Sequence, residues 1–117
     1  MTDPMDAHAA NAQPDAFAAA LAQAMNDMMQ AMHAAGRSGD PDHDFLAMMI
    51  PHHQGAVDMA AALLQYGRDP LVRQMASEIV ATQQAEIAAM RARLAVLEGH
   101  GVDSAYPAPS GTRGPVR

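Results

Sequence analysis

Apolar side chains return every third or fourth position along three stretches of the chain, and each stretch is punctuated alike. In the first, Phe17, Leu21, Met25, Met28 and Met32 share one face, with Met29 beside them. In the third, Val72, Met75, Ile79, Gln83, Glu86, Met90 and Leu97 line up the same way, broadened by Ala76, Val80, Ile87 and Leu94. This spacing marks amphipathic helices. Asp15, Asp40 and Asp69 stand where a carboxylate can cap free backbone N–H groups. Pro41 and Pro70 follow two of them at the first helical position, where a missing N–H costs nothing. Gly36, Gly67 and Gly99 stand where a left-handed residue ends a helix. The pattern predicts helices over 15–35, 41–66 and 70–98, joined by tight loops into an all-α antiparallel bundle. Residues 1–14 and 99–117, rich in small, polar and Pro/Gly residues, read as flexible tails around one domain at 15–98.

The middle stretch holds the chemistry. Met48 to Met59 reads MMIPHHQGAVDM. Pro51 cannot donate to the carbonyl of Ala47 and crowds that turn, so the helix is expected to kink or restart there. An interior proline costs a helix about 3 kcal/mol, and the plain alternative is a second helical piece that begins after an irregular turn. At ~100° per residue, Asp44, Met48, His52 and Met59 fall on one stripe. Phe45, Met49, His53, Ala56 and Leu63 fall on the next. The couples Met48–His52 and Met49–His53, like Met29–His33 in the first helix, bring two donors to neighbouring positions on one face.

Composition narrows the choices. The 117 residues include only four aromatics, no tryptophan and much alanine, which suits closely packed helices and argues against a β protein. All seven basic residues are arginine against thirteen acids, a net charge of −6. That balance disfavours nucleic acid or an anionic membrane as partner. With no cysteine, disulfides, thiolate metal sites and cysteine nucleophiles are excluded. No run reaches the ~18 apolar residues of a membrane span, and the amino terminus lacks a signal-peptide layout. Three helices with few large side chains make a marginal core, so a homodimer that buries leftover apolar surface is expected.

Eleven methionines are present, and methionine specifies a core poorly compared with leucine. Singly, each is expected to pack; the set, taken with the histidines, points to ligation. If tight loops fold the helices antiparallel, His52 and His53 lie opposite Gln83 and Gln84, and Met48 opposite Met28. One layer then collects Met25, Met28, Met29, Met48, Met49, His52, His53, Gln83, Glu86 and Met90. Glu86 would either hold a histidine N–H and fix the ring nitrogen offered to a metal, or sit solvated at the rim. Thioether and imidazole donors favour Cu(I) or Ag(I) over Cu(II) or Zn(II). Hard ions want oxygen cages, and a di-iron centre wants paired Glu-x-x-His motifs.

The run DFLAMMIPHHQGAVDMA at Asp44–Ala60, followed by Met75-Ala76, Ile79, Gln83, Glu86-Ile87 and Met90, resembles the bacterial family known as domain of unknown function 305. The resemblance spans most of residues 25–97. It implies a ferritin-like helical bundle and, from some members, exported copper- or silver-binding proteins. It makes His52, His53, Met49, Met59 and Met90 ligand candidates. The expected function is soft-metal buffering, tolerance or delivery in a periplasmic or exported setting, with a copper exporter or chaperone as partner. The full candidate set is His52, His53, Met48, Met49, Met59, Met28, Met29, Met32, His33 and Met90, with His43 adjoining. Catalysis is not indicated. The rival readings are a Zn- or Cu-dependent helical-bundle enzyme using His52 and His53, and a helical interaction module with a methionine-rich groove.

Overall fold

A computed structural model describes residues 12–99. They form three helices: α1 (Ala12–Ala34), α2 (Pro41–Tyr66) and α3 (Pro70–Leu97). The all-α expectation holds, and α2 matches its predicted bounds. The caps explain why. The Asp40 carboxylate accepts from the Asp42 N–H at 3.1 Å, and Asp69 accepts from the Val72 N–H at 2.9 Å, each with proline opening the helix. Helix α1 begins before Asp15, which therefore sits in its first turn, favouring the helix dipole rather than capping it.

Gly36 and Gly99 take left-handed backbone at φ +69° and +83°, as expected. Gly67 does not: its φ is −77° and its ψ 156°. Closeness, not handedness, requires glycine there. A Cβ at this position would lie 2.7 Å from the Leu63 carbonyl oxygen and 2.7 Å from its Cδ2. Helix α2 also runs through Pro51 as one element, so no separate helical piece begins there. Ala47, whose carbonyl Pro51 cannot serve, and Pro51 itself both line an open groove.

Helix α2 packs between the other two, and α1 and α3 make no backbone contact with each other. Both neighbours run antiparallel to it. Phe17 meets Tyr66 edge-on, ring centroids 6.4 Å apart, while Met28 covers Gly55; His43 reaches Glu98 and His53 reaches Glu86 on the other side. Small residues let the helices approach. The buried side chains are Ala24, Val57, Ala60, Ala62, Ala76 and Ile87, and a Cβ on Gly55 would come within 2.7 Å of Met28 Cγ.

The result is a row of three helices with α2 in the middle, and it corrects two expectations. The stripes read as core are covered only in part: Met29 is 61% exposed and Met75 59%, with Met25, Val72 and Ile79 also exposed, while Phe17, Leu21, Val80 and Met90 are half-buried. They cannot bury each other across α2. The register of α1 differs as well, since Met28 faces Gly55 rather than Met48, an offset of about two helical turns. The cause is the loop between α1 and α2. It folds back on the first turn of α2, where the Asp44 carboxylate accepts from Ser38 N–H at 2.8 Å, Ser38 Oγ–H at 2.7 Å and Gly39 N–H at 3.0 Å.

Candidate metal site

The contacts just described orient every helix and so divide the row into two faces. With Gly55 and Tyr66 turned to α1 and His53 to α3, the ~100° rotation per residue puts Phe45, Met48, His52 and Met59 on one side of α2. Ala47, Gln54 and Asp58 fall on the other. The same rotation puts Met25, Met29 and Met32 of α1, and Val72, Met75 and Ile79 of α3, on the side of His52. Asp27 and Arg91 belong to the opposite side, where an open cleft of about 250 Å³ is lined by Asp27, Met28, Gln54, Gly55, Asp58 and Arg91. One face is thus methionine-rich; the other sets its charged groups among small apolar residues, with Ala31, Ile50 and Pro51 also lining the cleft and Ala34, Ala47 and Leu94 an adjoining groove.

The methionine face brings part of the predicted set together. Where the end of α1 crosses the start of α2, Met32, His33, Asp44, Phe45 and Met48 line one open cavity of about 860 Å³. His52 stands exposed one turn beyond Met48, and among the described residues neither of its ring nitrogens has a hydrogen-bond partner. Its ring lies 6.2 Å from that of His53, tilted by 60°. Met29 and Met48 are exposed, and Met49, Met59 and Met90 are half-buried. Met28 stands apart: its side chain lies over Gly55 and lines the polar cleft.

His53 differs from its neighbour. One ring nitrogen, Nδ1, lies 3.0 Å from the Met49 carbonyl, and Nε2 lies 2.7 Å from Glu86 Oε1. The Met49 carbonyl can only accept, so Nδ1 carries the proton of that contact, and Nε2 is turned to the Glu86 carboxylate. Glu86 occupies that position, so an ion at Nε2 must displace the carboxylate or share it. Glu86 is both rim-exposed, at 58% of its side chain, and paired.

A second histidine latch was less legible. His43 Nε2 lies 2.8 Å from Glu98 Oε2 and Nδ1 lies 3.1 Å from Asp44 Oδ1, tying the start of α2 to the end of α3. Hydrogen bonding to Asp44 first, then Glu98, raises the His43 pKa above 6.5. The Ser38 hydroxyl and N–H, then His43, hold the Asp44 carboxyl well below its ordinary range. Glu98 lies 55 residues from His43, and no local pattern announces such a pair.

Among the described residues no three His, Asp or Glu side chains converge as a cation cage. No described helix is long and apolar enough to cross a membrane.

Comparison with known proteins places the chain. A stretch of 53 residues, 45% of this chain, is 38% identical to "Uncharacterized protein L153" of Acanthamoeba polyphaga mimivirus and covers 35% of that protein. The chain thus spans about a third of the length of that relative. The sequence model of the family described as "Domain of unknown function (DUF305)" matches residues 1–94. With most of its length inside that match, the chain belongs to the DUF305 family.

Proposed function

We propose that this chain binds a soft monovalent metal ion, Cu(I) or Ag(I), on its methionine face. The observation that carries this reading is the grouping of Met32, His33 and Met48 around one open cavity, with exposed Met29 and His52 alongside. Thioether sulfur and neutral imidazole are the donors such ions prefer, and both lie here within reach of solvent. Met49, Met59 and Met90, half-buried, and His53, already held by Glu86, would bind only after local movement, and Met28 is turned to the other face. Buffering, tolerance or delivery of copper follows as the role, in an exported or periplasmic setting, with a copper exporter or chaperone receiving the ion.

The test is an anaerobic competition of the metal-free protein against a chromogenic Cu(I) chelator, run beside Zn(II). Tight Cu(I) capture that weakens in a His52→Ala/His53→Ala variant, with Zn(II) left unbound, supports the reading. Failure to compete makes the methionines packing residues. Zn(II) capture would favour the histidine-based enzyme instead.

A further inference from the structure

We propose that a second copy of this chain docks on the methionine face, so that two rows of helices close over one shared core. The inference stands on packing and does not depend on the metal reading.

Among the described residues no side chain is fully buried. Eight of the nine large apolar side chains left exposed, all but Leu71, lie on or beside this one face: Met25, Met29, Phe45, Met48, Val72, Met75, Ile79 and Leu97. A layer of helices is stable when its apolar face packs on another layer. A patch of this extent on a lone chain marks an interaction surface.

The dimensions suit a copy of the chain. A 26-residue helix is about 39 Å long, and three helices at 8–10 Å spacing make a row roughly 27 Å wide. The face therefore offers on the order of 1,000 Å² per copy, more than the roughly 800 Å² per partner of a standard stable interface.

Charge agrees. The chain carries a net charge of −6, yet Asp27 and Asp58 lie on the opposite face, and Glu86 is held by His53. Asp44, which lines the cavity on this face, is engaged within its own chain by Ser38, Gly39 and His43. The remaining chain is a poor cover by composition. Residues 1–11 and 100–117 hold only Met1, Met5, Val102, Tyr106 and Val116 as large apolar side chains.

The test is sedimentation equilibrium of the full chain in chelator-treated, metal-free buffer, from low to high micromolar concentration. The expected species has twice the 12.3 kDa chain mass. Met29→Glu/Met75→Glu puts like charges into the interface twice over and should raise the dimer dissociation constant by more than about 100-fold. Gln84→Glu, on the far side of α3, should leave it unchanged. Circular dichroism checks that each variant stays helical. The unmodified chain supplies a readout that survives a misfolded variant: peroxide oxidation of Met25, Met29 and Met75 should slow as concentration rises. A monomer across the range, or oxidation of these methionines at a rate independent of concentration, overturns the proposal. A helical Met29→Glu/Met75→Glu variant that remains dimeric moves the interface elsewhere and overturns it too.

Discussion

The two faces of this helical row are built from the same three helices and differ in almost every side chain they show. One presents Met25, Met29, Met48, Phe45 and His52; the other presents Asp27, Gln54, Asp58 and Arg91 around a small cleft. On that second face the charged groups stand at the cleft, beside a groove of small apolar side chains. In the single chain the methionine face leaves thioethers and an imidazole uncovered, where leucine would have served packing as well. What a helix shows at a fixed backbone position is decided by rotation alone. The same backbone thus carries two sides of different chemistry.

The largest effect that separates the faces is on metal capture. Replacing Met29, Met32 and Met48 with leucine, together with His52→Ala, keeps apolar volume and removes the donors. Cu(I) affinity should fall by about 100-fold or more in chelator competition. Asp27→Asn/Asp58→Asn on the polar face should leave it unchanged; an equal loss there would erase the distinction.

Next in size is the seam. Gly55→Ala pushes a methyl against Met28, whose Cβ would be 2.9 Å away. Overpacking costs about 1–3 kcal/mol, offset by the ~1 kcal/mol gain in helix propensity over glycine. A net loss of about 1 kcal/mol in urea unfolding is expected, and a smaller loss in a Met28→Ala background. A stabilised single variant would place Met28 elsewhere.

Helix capping ranks similarly. Asp69→Ala removes the acceptor for the Val72 N–H and should lower stability by ~1 kcal/mol, with Cu(I) capture unaltered. Thermal melts of the metal-free and loaded protein separate the two readouts.

The smallest effect is the histidine latch. Because the His43 pKa is raised above 6.5, its stabilisation is complete below pH 6.5 and fades as pH climbs through the raised value. Asp44, depressed below 3.8, works the opposite way: its contribution is present above pH 3.8 and is lost as pH falls through the depressed value. In an NMR titration the His43 ring should show a midpoint above 6.5, and Glu98→Gln should bring that midpoint down. An unmoved midpoint would mean Glu98 does not hold the ring in solution.

Much of this architecture was legible in the residues. Asp40-Pro41 and Asp69-Pro70 announce the starts of α2 and α3, and apolar spacing marks the face each helix turns toward the methionine side. What periodicity does not encode is whether that face is covered. Met25 and Met75 carry the spacing of core residues yet remain exposed, because α2 separates their helices. Register was also hidden. A loop of symmetric length would set Met48 against Met28, but Asp44 draws Ser38 and Gly39 back over the first turn of α2, and Gly55 takes that place. The Met/His run itself was visible from MMIPHHQ. That His52 offers free nitrogens while His53 is held by Met49 and Glu86 depends on a contact 33 residues distant.

The most direct test of the central claim is an NMR titration of the methionine ε-methyl groups, isotope-labelled, with Ag(I) as the redox-inert stand-in for Cu(I). The account predicts that Met29, Met32 and Met48 shift and saturate together with the His52 ring, while Met28, turned over Gly55 to the other face, keeps its position. Shifts centred on Met28, or no saturable shift at any methionine, would contradict it.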